Sequence, residues 1–175
     1  MDVRLVDTGA LRDSRALCAT CVTVLGVRDG DRPHAMTAGS FTWVSIEPPL
    51  VSVCVRRGAL TGELIRCAGA FAVSVLAAGQ EPLAWHFADP RRPAGAAQFA
   101  AVDWEPAPVT GSPLLSGCLA RLDCALDAVT AAGDHHVLFG RVVWTGDADG
   151  VATPLLRFGR AYRRLGPEPA GTDRL

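Results

Sequence analysis

The sequence predicts a mainly β protein: an antiparallel barrel with a few short flanking helices. Two patterns carry that expectation. About seven short β-rich runs are separated by turn signals, and only a few segments show helical spacing. A third observation narrows the class: no G-x-G-x-x-G opens a helix after a strand, which argues against a Rossmann dinucleotide site. At 175 residues, 49% of them apolar and 20% charged, the chain has the profile of one globular domain with a core of its own. Residues 1–165 are read as that domain, with 1–15 a helical lead-in and 166–175 a flexible tail.

The elements follow in order. Asp7 to Ala19 predicts a helix capped by Asp7 or Thr8, with Leu11, Arg15 and Leu17 allowing one apolar side. Such a segment suits a barrel mouth or a partner subunit. Cys21 to Val27 is a strand, closed by the hairpin signal Asp29-Gly30-Asp31. His34 to Met36 begins the return strand. From His34 to Thr61 the chain reads as strand, polar turn, strand, Pro-Pro corner and strand, ending in a basic pair ahead of a short helix. Glu47-Pro48-Pro49 makes the corner, because proline disfavours the α region for its predecessor. Leu50 to Val55 reads as a buried strand. Thr61 to Cys67 is the helix, with Thr61 as its N-cap.

Ala70 to Leu76 is another buried strand, and Gln80 to Ala88 a helix whose Leu83, Trp85 and Phe87 mix faces. Asp89 to Gly95 is a proline-rich loop, the segment most suited to motion. Gln98-Phe99 and Trp104 fall in a short helix and an extended piece, after which Pro106, Pro108, Gly111 and Pro113 break regular structure. Cys118 to Ala128 alternates: Ala120, Leu122, Cys124 and Leu126 on one face, Arg121, Asp123 and Asp127 on the other. Gly133-Asp134 turns the chain and His135 to Thr145 returns as a strand. Asp147 to Gly150 turns again, and Pro154 to Phe158 and Ala161 to Leu165 complete the set.

Composition removes several function classes. A net charge of −1 gives no broad electrostatic footprint for nucleic acid, though Arg56-Arg57 and Arg91-Arg92 are local basic sites. No apolar run reaches transmembrane length and the N-terminus has no hydrophobic leader core, so no membrane is expected and the cytoplasm is the expected location. No G-x-S-x-G elbow frames a hydrolase nucleophile. Cys18-x-x-Cys21 has metal or redox spacing, but no second pair completes a zinc site. The six cysteines are expected to be buried, reduced thiols, and no metal site is expected.

The stretch from His34 to Thr61 holds the candidate site. Thr37, Ala38, Gly39 and Ser40 are small, so a flat ligand can approach their backbone. Thr37, Ser40, Thr42, Ser45 and Ser52 add hydroxyls, while Arg56 and Arg57 add positive charge near the helix start at Thr61. A planar heterocycle carrying a phosphate suits that surface. His135 and His136 are adjacent on a strand, so their side chains point to opposite faces.

Met36, Thr37, Ser40, Phe41, Val44, Ser45, Pro48, Pro49, Leu50 and Val51 form a pattern that resembles the flavin reductase-like family. Two later stretches match in order: Gly133-Asp134-His135 with Gly140-Arg141-Val142, and Pro154-Leu155 with Tyr162 and Leu165. The likeness covers roughly Ala16 to Leu165, most of one domain by length. It implies the FMN-binding split barrel, a Greek-key split β-barrel. It also implies hydride transfer from NADH or NADPH to FMN or FAD, with reduced flavin passed to a separate monooxygenase.

By that resemblance the flavin is held by Met36, Thr37, Ala38, Gly39, Ser40, Ser45, Arg56, Arg57 and Thr61, and His135 lies on the nicotinamide side as the catalytic candidate. A homodimer is implied, with Trp43, Trp85 and Phe87 as apolar candidates for its interface. Three positions depart from the usual pattern. Cys21 stands where a glycine is common, Trp43 where a small residue is usual, and Ala59 where a serine often adds a phosphate contact. Trp43 either packs in the barrel or a dimer, or walls the ligand. Rival readings on the same barrel are a non-catalytic flavin or haem carrier and an oxidase of a small amine or phosphate ester.

Overall fold

A computed structural model describes residues 6–147 and 153–166. Helix α1 (Thr8–Ala16) is capped by the Asp7 carboxylate, which accepts from the Ala10 N–H at 2.9 Å. It buries none of its residues. Next come β1 (Thr20–Cys21), β2 (Thr23–Asp29), β3 (Arg32–Ala38), β4 (Thr42–Ser45) and β5 (Leu50–Arg56). Helix α2 (Leu60–Ala68), β6 (Ala70–Val75) and α3 (Glu81–Ala88) follow. Then β7 (Trp104–Pro106), β8 (Pro113–Leu115), β9 (Ala120–Ala132), β10 (His135–Asp147), β11 (Leu155–Phe158) and β12 (Ala161–Arg164) complete the described elements.

Seven strands form one antiparallel sheet in the order β3-β2-β6-β9-β10-β5-β4. Its two edge strands, β3 and β4, are joined by Gly39, Ser40 and Phe41 alone. Laid flat, seven strands would separate those edges by about 29 Å, at roughly 4.8 Å per gap. The four-residue step from Ala38 to Thr42 reaches about 14 Å at most. The sheet must therefore curl, and its edges approach. Ser40 closes the gap: its hydroxyl donates to the Cys54 carbonyl and accepts from the Cys54 N–H, both at 3.0 Å, on β5. Mainly β structure, a curled but open sheet and few short helices agree with the expected split barrel.

The barrel interior is filled by Leu25, Val27, Val51, Val53, Val55, Phe71, Val73, Leu122 and Leu138, with Ile65 of α2 against them. A second apolar cluster lies outside β2 and β3, where Val22, Val24, Ala35, Leu76, Ala84, Phe87, Phe99, Leu115 and Leu155 pack. Strand β2 is thus buried on both faces from Thr23 to Val27, which explains its continuous apolar run. At Gly26 an added Cβ would sit 2.1 Å from the Pro113 carbonyl oxygen, so β8 presses directly on the strand. A small sheet β1-β11-β12 stands beside α1. It is tied there by the Gly159 N–H bond to the Ala16 carbonyl at 2.8 Å and by the Arg160–Asp13 ion pair.

Several expectations are corrected. Thr61 is not a cap: α2 begins one residue earlier, its N-cap is Ala59, and no side chain caps it. Leu50 to Val55 is buried on one face only, with Val51, Val53 and Val55 inward and Cys54 exposed. The prolines after Trp104 do not abolish structure, because β7 and β8 pair as a ribbon through Trp104↔Leu115 and Pro106↔Pro113. That ribbon covers the outer face of β9, so Asp123, expected outside, is fully buried. Phe87 is also fully buried, in the second cluster, and is not available to a subunit interface. Cys18, Cys21, Cys54 and Cys67 are exposed; only Cys118 and Cys124 are buried, and all six are free. Burial pushes the Cys118 thiol up to about 11 and the Cys124 thiol up to about 12. The expected turn at Asp147–Gly150 and tail at 166–175 fall, apart from Asp147 and Gly166, outside the described residues.

The Asp123 carboxylate accepts from the Val109 N–H at 2.9 Å, the Thr110 N–H at 3.0 Å and the Thr110 hydroxyl at 2.6 Å. Removing it leaves those donors under the ribbon without an acceptor. Asp123→Ala is expected to lower unfolding free energy by about 3 kcal/mol in urea titration, with Asp123→Asn, which keeps one oxygen, losing less.

Candidate functional site

The register of β5 against β10 pairs Arg56 with His135. The turn Arg56-Arg57-Gly58 therefore meets the turn Gly133-Asp134, and the Arg57 N–H donates to the Asp134 carbonyl at 3.0 Å. Gly133 takes φ +57°, the left-handed conformation that lets two strands reverse in so few residues. The His135 Nδ1 lies 2.7 Å from the Asp134 carboxylate. Hydrogen bonding to His135, with its charge and that of Arg56 adding, holds the Asp134 carboxyl below the usual range. With Nδ1–H given to the carboxylate, Nε2 is the nitrogen left to meet a ligand. Ser40, bonded to Cys54 two residues before Arg56, joins the same end of the barrel. Ser45 lies half-buried on β4, opposite Leu50.

Three of the hydroxyls expected at the site, those of Thr37, Ser40 and Thr61, are committed inside the protein. Thr37 donates to the Ala84 carbonyl at 2.8 Å, fastening α3 to β3. Ser40 clamps β5. Thr61 is buried, with its Oγ1 3.0 Å from the His34 Nε2. These side chains build the frame, and it is backbone from Ala38 to Ser40 that remains for a flat ring.

Two clefts flank β3. Thr37, Ala38 and Gly39 border one of about 350 Å³ beneath α1, together with Arg12, Arg15, Arg157, Arg160 and Tyr162. The Arg157 guanidinium sits 5.2 Å from the Tyr162 ring and 6.0 Å from that of Trp85. Met36 and Thr61 border the other, about 610 Å³ between β3, the start of α2 and the Pro90–Gly95 loop, with His34, Arg32 and Arg92. No carboxylate lines either cleft. Among the described residues no group of three or more His, Cys, Asp or Glu side chains converges as a metal site would require.

The description "flavin reductase like domain" matches residues 14–166. The chain belongs to the flavin reductase-like family. It is 43% identical over 149 residues to an NADH-dependent FAD reductase of Streptomyces globisporus, covering 85% of this chain and 81% of that protein. It is 36% identical to the reductase component of 4-hydroxyphenylacetate 3-monooxygenase from Thermus thermophilus, covering 89% and 95% respectively. Among solved structures, the NADH:FAD oxidoreductase of S. globisporus C-1027 superposes with a TM-score of 0.86 at 39% identity, over 95% of this chain and all of that one. The flavin reductase component of a bacterial two-component tryptophan halogenase gives 0.86 at 40% identity, over 93% of this chain and all of that one.

Motif reading missed His34 and Gln98 in this flavin reductase-like chain, and the arginines of the first cleft. Their signal was strand periodicity: His34 and Met36 share one side of β3 and so open on one cleft. The His34 ring has a donor near each nitrogen, Arg92 Nη2 3.4 Å from Nε2 and Gln98 Nε2 3.4 Å from Nδ1. The Thr61 hydroxyl, 3.0 Å from Nε2, can accept one ring proton, but a second on Nδ1 would face the Gln98 amide N–H. Burial first, and then the charge of Arg92, lower its pKa to about 4. The unfolded chain then binds more protons than the native one between pH 6.5 and about 4. The stability contributed by neutral His34 is complete above that window and is lost as pH falls through about 4. His34→Gln is expected to flatten this part of the stability–pH curve, measured by urea unfolding across the window against wild type.

Proposed function

We propose that this flavin reductase takes a hydride from NADH or NADPH and delivers it to FAD or FMN, and that it passes reduced flavin to a flavin-dependent monooxygenase. Residues 1–165 act as one domain, in the cytoplasm, as a homodimer. The observation that carries the site assignment is the gathering of Ser40, Arg56, Arg57 and His135 at one end of the β5–β10 pair. The names of the relatives support the donor, the acceptor and the monooxygenase partner. No helix among the described residues is long and apolar enough to cross a membrane.

Bound flavin supplies the atom that accepts the hydride from nicotinamide C4. The chain's own part is orientation and charge. Backbone N–H groups from Ala38 to Ser40 hold the heterocycle edge where negative charge grows. Met36 and Ser45 would complete the set of residues that hold the flavin. Arg56 and Arg57 hold the phosphate by charge-assisted bonds, at a helix start that no side chain caps. His135, fixed by Asp134, presents Nε2 to the nicotinamide side. Such a transfer asks the protein for little acid–base chemistry and depends on holding two flat rings close.

Steady-state oxidation of NADH with added FAD, then FMN, tests the activity; absence of turnover with either flavin contradicts it. Arg57→Ala is expected to weaken FMN binding by about 1–2 kcal/mol and leave riboflavin binding unchanged. His135→Ala is expected to raise KM for NADH or slow turnover without changing flavin affinity, whereas a wild-type rate and KM at saturating flavin remove the assignment. The homodimer reading is supported by exposed apolar side chains: Leu11 on α1, and Trp43, Val44 and Ile46 at the β4 edge, Ile46 by 84%. An interface of roughly 1,600 Å² is expected, and sedimentation equilibrium at micromolar concentration checks it, an active monomer being the contrary result.

A further inference from the structure

We infer that helix α1 is a hinged strap over the cleft of about 350 Å³ beside β3, and that a diphosphate held between the arginines of its two walls draws it shut. The strap needs no redox chemistry and goes beyond the reductase reading.

The helix is lightly held. From Val6 to Ala19 every residue is exposed except Ala16, which is half-buried. A segment with so little buried surface opens at small cost. Among the described residues, two polar ties join it to other elements. The Gly159 N–H donates to the Ala16 carbonyl at 2.8 Å, at the end of the helix. The Asp13–Arg160 ion pair lies nearly one turn earlier, with both side chains exposed, where water and salt weaken it. Leu17, Cys18 and Ala19 then lead to Thr20, which is fixed opposite Arg157 in β1. Those three exposed residues are the hinge. The Ala16 bond sits beside it, so the ion pair is the tie that has to part.

Charge supplies the reason to move. Arg12 and Arg15 border the cleft from α1, while Arg157 and Arg160 border it from β11 and the turn that follows. Among the described residues no carboxylate lines it, and Asp13 answers Arg160 alone. Arg157 is kept in place by aromatic rings, 5.2 Å from that of Tyr162 and 6.0 Å from that of Trp85. Two arginines on a movable wall thus face two on a fixed wall. Without an anion, the Asp13–Arg160 pair is what offsets their repulsion. An anion between the walls attracts both pairs, and it reaches all four only with α1 shut. It therefore binds the shut state better, which is the differential affinity a ligand needs to shift such an equilibrium. A diphosphate has the charge for this, and FAD and NADH both carry one. Closure needs α1 free of a second copy, which leaves the exposed β4 edge to carry the homodimer.

The test is hydrogen–deuterium exchange of the full chain, read by mass spectrometry on the peptide that carries Thr8 to Ala16. Inorganic pyrophosphate is the probe, with NAD⁺ and FAD in separate arms to show which dinucleotide supplies the diphosphate. Without a probe, the α1 amides are expected to exchange far faster than those of β5 and β10, and faster still in Asp13→Asn. Pyrophosphate is expected to slow α1 about tenfold, the worth of one charge-assisted bond. The double variant Arg12→Gln, Arg15→Gln is expected to lose that slowing; both side chains are exposed, so the fold does not depend on them. Exchange of α1 as slow as that of the sheet, and unchanged by pyrophosphate, overturns the strap. So does slowing that survives in the double variant, or protection that rises with protein concentration and marks a second copy over α1. NADH oxidation is followed in parallel. A protein whose α1 responds but which oxidises no NADH keeps the strap and loses the reductase reading, and turnover in a protein whose α1 is inert does the reverse.

Discussion

Three residues join two strands at opposite edges of a seven-stranded sheet, and that short link forces the rest of the structure. Gly39, Ser40 and Phe41 cannot span a flat sheet, so the sheet curls until Ser40 reaches the backbone of Cys54. Two of them, Gly39 and Ser40, belong to the small-residue backbone proposed to take the ligand. Closure and ligand surface therefore come from one constraint. Strand β5, held by Ser40 on one side and by β10 on the other, carries Arg56 to the place where His135 starts its strand. A slip of one residue in that pairing would turn His135 to the other face and separate the two turns.

Electrostatics divides the site into parts with different tasks. At the turns, Arg56, Arg57 and the Asp134–His135 pair are exposed or half-buried, so their charges act in water-like surroundings and are screened by salt. In the larger cleft, Arg92 is half-buried, and desolvation lowers its pKa against the opposing pull of the Asp89 carboxylate. Its hydrogen-bond acceptors are the Asp89 and Ala35 carbonyl oxygens. Among the described residues, no Asp or Glu side chain lines either cleft beside β3.

Much of the fold was legible because its signals are local. Asp29-Gly30-Asp31 and Gly133-Asp134 were read as turns, and β2 and β3 and β9 and β10 reverse there. The Pro-Pro corner falls between β4 and β5 as its restricted backbone requires. What escaped depends on contacts between distant segments. Asp123 looked like a surface residue because its alternation was sound; only the β7–β8 ribbon, laid across it by tertiary packing, buries it. Thr61 had the chemistry of a cap, yet the helix began one residue earlier and its hydroxyl turned to His34. His34 itself carries no motif, and its neutral, half-buried state arises from Thr61, Arg92 and Gln98, each far off in sequence. The family motif nominates a neighbourhood for the site; the partners of its hydroxyls are set by contacts between distant segments.

The central claim is that this chain holds a nicotinamide and a flavin ring in one fixed mutual orientation. Its most direct test is the fate of deuterium when NADH labelled on one or the other face of nicotinamide C4 reduces FAD anaerobically on the protein. Mass spectrometry of the resulting NAD⁺ is expected to show the label lost from one form and retained in the other, as a single presented face requires. The same mixture of labelled and unlabelled NAD⁺ from both forms would mean that the rings meet without being held, and would contradict the site described around Ser40, Arg57 and His135.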